Sequence, residues 1–261
     1  MEPLAVDGPA GQLRGWVNAP AETDGLPILF VHPINLQGAC WMEVAERLPD
    51  RRSVMPDMRG HGRSDPGGPY GLAEWTSDLT AVLDAQGVER AHVIGGSLGG
   101  PLAVYLAAIH PDRVASIVAI GAALHIEGED VTAVLAVLRE KGVQQMFREV
   151  IPEISVAPGT DPDTIERILE LSNPNDAETV AAIWGATISS DATPQAANVR
   201  CPALVLTGEH DKTCPPEQGE EMARALGSRR ELLPGVGHLP MMEAPAELSA
   251  RLAGWLAAQG T

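Results

Sequence analysis

The stretch AHVIGGSLGGPLAVYLAAI, residues 91–109, decides the fold. Ala91–Gly95 is a short apolar run of strand type, and Leu98–Ile109 is an apolar helical run. Between them lies Gly95-Gly96-Ser97-Leu98-Gly99-Gly100, which has the form G-x-S-x-G. A strand that turns this sharply into a helix lifts the serine hydroxyl out of the sheet. The glycines are required because a Cβ would clash where strand and helix approach closely. The helix N-terminus beneath favours negative charge developing beside the serine. A glycine-rich turn with an incidental serine gives the same letters, but the strand before and the helix after favour the elbow.

Outward from this point, apolar runs recur at Pro27–His32, Val114–Gly121 and Ala203–Thr207. Near-continuous apolar strands point to burial on both faces. Helical patterns separate them at Cys40–Leu48, Leu72–Gln86, Pro216–Leu226 and Pro245–Gln259, with Leu72, Trp75, Leu79, Val82 and Leu83 on one face. This alternation predicts an α/β fold, a mostly parallel sheet with helices on both faces. Arg14–Val17 and Arg230–Leu233 fit flanking strands. From Ala122 to Ala197 the alternation breaks, and helical patterns run at Val131–Lys141, Val143–Val150, Thr164–Leu171 and Ala177–Ser189. That segment holds 13 Asp or Glu against four Lys or Arg. It reads as a solvated acidic face or as a lid over a pocket, and its place between two strands favours the lid. The expected organisation is a core of residues 1–121 and 198–261 with a helical cap at 122–197.

Composition excludes several classes. The 261 residues are 44% hydrophobic and 20% charged, a globular balance. A net charge of −17 argues against a nucleic-acid surface and against docking on anionic lipid. No apolar run approaches the roughly 18 residues of a membrane span. The opening MEPLAVDGPAGQL lacks the charged and apolar regions of a signal peptide. Cys40, Cys201 and Cys214 cannot all pair and have no metal-ligand spacing, which fits a reduced cytoplasmic protein. GGSLGG is no phosphate loop, and no G-x-G-x-x-G follows the first apolar strand. The expectation is therefore no nucleotide, no metal and no other cofactor.

A serine hydroxyl needs a base that a third group orients. Asp211 follows the strand Ala203–Thr207, and His238 lies between the last strand and the last helix. Both sit at C-terminal strand ends, where open α/β sheets place ligands. On these residues, on His32, on Asp57-Met58-Arg59-Gly60-His61-Gly62-Arg63-Ser64 and on His110-Pro111-Asp112-Arg113-Val114, the chain resembles the α/β-hydrolase superfamily. The likeness runs from about Leu13 to Ala258 and points to the esterase, lactonase and haloperoxidase-like branch with a helical lid.

The resemblance implies Ser97 as nucleophile, His238 as general base and acid, and Asp211 as the residue that orients His238. It also implies an oxyanion hole from the N–H groups of Ile34 and Leu98. Where relatives have His-Gly, this chain has His32-Pro33-Ile34-Asn35. Pro33 has no N–H to give, but in the relatives the donor is generally the next residue, so the resemblance leaves Ile34 N–H in that role. Asn35 either adds a side-chain donor or is a turn residue bonded to its own backbone. His32 is expected to brace this loop. Among the other histidines, His92 and His110 read as structural and His210 as a loop residue, and the resemblance makes His61 either structural or part of the entrance. Glu127, Glu129 and Asp130 rival Asp211 as the acid, which the commoner position of an orienting carboxylate favours. Glu243 is expected to brace the His238 loop.

His32, Asn35, Trp41, Leu124, His125, Trp184 and Met241 are the expected substrate contacts, with Met242 beside them, giving a mainly apolar pocket. The expected activity is hydrolysis of a small, neutral carboxylic ester or lactone by a monomer or homodimer. The same residues would also serve perhydrolase, C–C bond hydrolase or acyl-transfer chemistry. A non-catalytic ligand receptor is the remaining reading.

Overall fold

The structure, a computed structural model, describes residues 1–21, 23, 25–126 and 131–259. Its frame is an eight-stranded sheet in the order β1-β2-β4-β3-β5-β6-β7-β8. The strands are β1 Glu2–Gly8, β2 Gly11–Asn18, β3 Ile28–Val31, β4 Ser53–Asp57, β5 Ala91–Gly96, β6 Val114–Ile120, β7 Ala203–Gly208 and β8 Arg229–Leu233. β1 pairs antiparallel with β2, and β2 antiparallel with β4. From β4 to β8 every pairing is parallel.

The apolar runs become the central strands because they are covered on both sides. In β3, Leu29 and Val31 join one core while Ile28 and Phe30 join the other. The first core is closed by α2 (Leu72–Ala85) and α3 (Gly99–Ile109). The predicted stripe Leu72, Trp75, Leu79, Val82 and Leu83 is buried in it. The second core takes α1 (Met42–Glu46) and the C-terminal helix Pro245–Ala258.

Two strands were not expected. β1 forms a hairpin with β2, and its Leu4 and Val6 alone reach the core. β4 carries Pro56 and Asp57, poor strand formers that burial and antiparallel pairing with Gly15 and Arg14 of β2 keep extended. The predicted helix Cys40–Leu48 is a 3-10 turn, Gly38–Trp41, followed by the single-turn α1.

Among the described residues between β6 and β7 there is no named strand. The chain there forms α4 Val131–Lys141, α5 Val143–Val150, a π-helical turn Ile151–Ser155, α6 Pro162–Glu170, α7 Ala177–Ile188 and α8 Thr193–Ala196. Asp161 and Asp176 cap α6 and α7 by accepting from Asp163 N–H and Thr179 N–H. An isolated bridge between His125 and Asp191 ties the two ends of the insertion together. Among the described residues no helix is long and apolar enough to cross a membrane.

Candidate active site

The site lies beyond the C-terminal ends of β5, β7 and β8. Ser97 follows β5 with φ of +50°, in the left-handed region that non-glycine residues avoid. Its N–H donates to Ile120 carbonyl at 2.8 Å, and its carbonyl accepts Gly100 N–H at 2.8 Å. Two glycines make this geometry possible. A Cβ on Gly95 would lie 1.9 Å from Gly99 carbonyl oxygen, and one on Gly99 would lie 2.3 Å from Val31 carbonyl oxygen. No side chain fits at either distance.

Asp211 and His238 form a buried pair. His238 Nδ1 lies 2.9 Å from Asp211 Oδ2 and 3.1 Å from Oδ1. Asp211 Oδ1 also accepts the N–H groups of Thr213 and Cys214 at 2.9 and 2.8 Å. The carboxylate is thus fixed by its own loop before it meets the imidazole. Gly121, at φ +51°, packs against the pair: a Cβ there would lie 2.9 Å from Asp211 Oδ2 and 3.2 Å from His238 Nδ1. Glu243 holds the loop on either side of His238, accepting Gly237 N–H at 3.0 Å and Leu239 N–H at 3.0 Å. It also takes Ala157 N–H from the insertion at 2.7 Å, and His238 N–H donates to Ser155 carbonyl at 2.9 Å. The insertion is therefore part of what positions His238.

Ser97 and His238 open onto the same narrow cavity of about 100 Å³. Among the described residues no hydrogen bond joins their side chains. Such bonds are often loose without substrate and tighten with it. Ile34 and Leu98 flank the serine, and their N–H groups engage no other group among the described residues.

The loop that carries Ile34 is set by His32. Met58 N–H donates to His32 Nε2 at 3.0 Å, so the ring proton sits on Nδ1, which donates to Pro33 carbonyl at 2.8 Å. Burial pushes the pKa of His32 down to about 4, keeping it neutral. Asn35 next turns to φ +59°, and its carbonyl accepts Asn173 N–H at 2.8 Å.

Of the seven expected contacts, Asn35 and Trp184 line the cavity and five do not; Ile34, the expected oxyanion donor, lines it as well. His32 is fully buried behind the loop. Trp41 is fully buried and stacks on Phe30 at 5.0 Å between ring centroids. Met241 is fully buried too, its Cε 2.7 Å from where a Gly96 Cβ would be. These apolar side chains form the platform under the serine turn, so proximity in sequence did not give access to the pocket. Leu124 is buried at the base of the insertion, where its carbonyl accepts Ala192 N–H, and His125 lies with Asp191 and Thr193. Both border a separate groove against the helix Pro216–Ala225. Met242, buried in the second core, also stays off the cavity.

The apolar wall comes instead from the insertion: Met146, Phe147 and Val150 of α5, Ile151 and Ile154 of the π-helical turn, and Ile168 of α6. Val143, Met146, Phe147 and Val150 follow the i, i+3, i+4, i+7 pattern. That signal marks an apolar face without saying what the face covers.

His61 is buried with its ring 4.9 Å from His32, and His92 bonds Ser116 Oγ at 2.8 Å, both away from the cavity. His210 is exposed beside Glu209. Glu127, Glu129 and Asp130 lie outside the described residues. Cys40, Cys201 and Cys214 are free thiols. Among the described residues no group of three or more His, Cys, Asp or Glu side chains is placed to share a metal ion.

Known proteins share this fold. Lipase LipV of Mycobacterium tuberculosis is 37% identical over 108 residues, 41% of each chain. The chain spans about two fifths of the length of the curated relatives it first matches. Solved structures match more fully. A thermophilic esterase from Thermogutta terrifontis gives a TM-score of 0.87 at 28% identity, covering 100% of both chains. The enol-lactonase from Burkholderia xenovorans LB400 gives 0.87 at 27% identity, over 97% of this chain and 100% of that one. The model of the alpha/beta hydrolase fold family matches residues 27–245, and the chain belongs to that family.

Proposed function

We propose that the chain is a serine hydrolase that cleaves a carboxylic ester or lactone of a small, neutral, partly apolar substrate. Ser97 Oγ attacks the carbonyl carbon as His238 Nε2 takes its proton. Asp211 holds the imidazole in the tautomer that leaves Nε2 free and stabilises the imidazolium. The N–H groups of Ile34 and Leu98 receive the oxyanion, where one such donor lowers the barrier by about 3 kcal/mol. His238 returns the proton to the departing alkoxide, and the acyl group stays on Ser97. Water, deprotonated by His238, then releases the acid; for a lactone, both ends leave as one hydroxy acid.

A single coincidence carries this reading. One cavity holds a serine on a left-handed turn, an imidazole bonded to a buried carboxylate, and Ile34, whose N–H is uncommitted, as is that of Leu98 next to the serine in the chain. The insertion acts as the lid of that cavity. Its excess of 13 acidic over four basic residues disfavours anionic substrates at long range. The esterase and enol-lactonase among the similar structures support the same reaction class.

Steady-state kinetics on a panel of short-chain esters and lactones tests the reading. The expected result is saturable turnover that Ser97→Ala and His238→Ala each reduce by about 10³-fold or more. Turnover only with peroxide or with a thioester and an acyl acceptor would replace hydrolysis by the corresponding transfer. Binding without turnover of any kind would make the chain a receptor.

A further inference from the structure

Most of the cavity wall is apolar, with one feature out of keeping. Asn35 lines it, is 3% exposed, and leaves both side-chain polar atoms, Oδ1 and Nδ2, without a hydrogen-bond partner. Trp184 of α7, which lines the same cavity, likewise leaves its buried Nε1 without one. Two of the hydroxyls there are engaged: Ser172 Oγ donates to Leu169 carbonyl, and Thr213 Oγ1 donates to Ile154 carbonyl. A buried carboxamide with neither end satisfied is rare in folded proteins and costly unless a ligand or ordered water completes it.

Position narrows what completes it. Asn35 follows Ile34, and consecutive Cα atoms are only about 3.8 Å apart. A group bonded to the Asn35 amide therefore lies within a few bonds of a carbonyl whose oxygen faces Ile34 N–H. The amide offers donors and an acceptor together, and Trp184 Nε1–H adds a donor. The matching partner both gives and accepts a hydrogen bond. The backbone fits a fixed anchor as well, since Asn35 is locked at φ +59° by its carbonyl bond to Asn173 N–H.

We infer that Asn35 and Trp184 form a polar subsite that selects an acyl group bearing a hydroxyl or amide close to the reacting carbonyl. This rests on the proposed ester or lactone hydrolysis for the position of that carbonyl. The subsite makes the enzyme selective for hydroxyacyl or amidoacyl esters and lactones over plain alkyl ones of the same shape. A site built to bond a hydroxyl leaves its own buried polar groups unpaired when an alkyl isostere binds, and so rejects it strongly.

The test compares methyl 3-hydroxybutanoate with methyl 3-methylbutanoate, in which a methyl replaces the hydroxyl. Binding is read by calorimetry in the Ser97→Ala protein, so that turnover plays no part. The hydroxy ester is expected to bind at least about tenfold tighter. Asn35→Gly removes the carboxamide while accepting the positive φ, and Trp184→Phe removes only the N–H. Each is expected to shrink the preference, Asn35→Gly to near unity. The kcat/KM ratio of the two esters in the Ser97 protein should follow. Equal binding of the two esters, or a preference that neither substitution changes, overturns the inference. A binding preference that these variants abolish, without hydrolysis of either ester, would keep the subsite and overturn the proposed reaction instead.

Discussion

Replacing Glu243 tests how far the position of His238 depends on a residue that takes no part in the chemistry. The carboxylate accepts three backbone N–H bonds, from Gly237, Leu239 and Ala157, at 3.0, 3.0 and 2.7 Å. Hydrogen bonds to a charged group contribute about 1.5–3 kcal/mol each, and bonds sharing one acceptor group do not add fully. Glu243 is half-buried, which moves each towards the lower end. Glu243→Ala should therefore cost about 2–4 kcal/mol, on the order of 10 °C in Tm for a chain of this size. Glu243→Gln can keep the oxygen that serves Gly237 and Ala157 while setting an N–H₂ against Leu239 N–H, at a cost of about 1–2 kcal/mol. Activity should fall further than stability predicts. Freed on both sides, the His238 backbone can shift, and a 1 Å misplacement costs about 10²-fold in rate. Urea unfolding at pH 7 and ester kcat on the same preparations give both numbers. A Glu243→Ala protein within 0.5 kcal/mol and twofold of the parent, thresholds of about the size of a neutral surface change, would refute this reasoning.

Three further outcomes follow from the geometry. Gly121→Ala places a methyl against Asp211 Oδ2 and His238 Nδ1 at a left-handed backbone; the fold should survive with about 1–2 kcal/mol lost, while kcat drops by an order of magnitude or more, and unchanged kcat would count against the packing described. Asp78→Asn leaves Arg59 buried without the carboxylate it meets at 2.6 Å through both Nε and Nη2; chemical denaturation should register a loss of about 3–5 kcal/mol, and a loss under 1 kcal/mol would contradict it. Burial holds His32 at about 4 against roughly 6.5 in the unfolded chain. The folded state thus binds fewer protons, so the contribution, about 3 kcal/mol, is complete above pH 6.5 and is lost as pH falls towards 4. His32→Asn, with nothing to titrate there, should lose less stability than the parent between pH 7 and 4.5; equal losses would sink the assignment.

What could be read from the letters were features whose cause is local. Gly95 is fixed by its contact with Gly99, within a few residues of Ser97, so the turn was legible, although Gly99 itself answers to Val31 of β3, distant in sequence. The stripe of α2 and the central strands were legible because their burial follows a simple period or an unbroken apolar run. β4 was hidden because Pro56 and Asp57 are held extended by neighbours distant in sequence. Trp41 and Met241 mark the limit of reading a pocket from sequence. Both lie near the chemistry, yet they pack beneath the glycines, and only the path of the chain decides which side of the turn an apolar residue occupies. The cavity wall from Met146 to Ile168 was visible as amphipathic helix but not as a wall, because what an apolar face covers is a tertiary fact.

The central claim is that Ser97 is an activated nucleophile. A serine-directed fluorophosphonate tests it without knowledge of the substrate, with the label located by mass spectrometry. The account predicts one label per chain on Ser97, absent in Ser97→Ala and slowed at least about 10³-fold in His238→Ala, since the hydroxyl depends on its base. A folded protein that takes no label, or takes it elsewhere, would contradict the account and leave the loop His32-Pro33-Ile34 without a catalytic role.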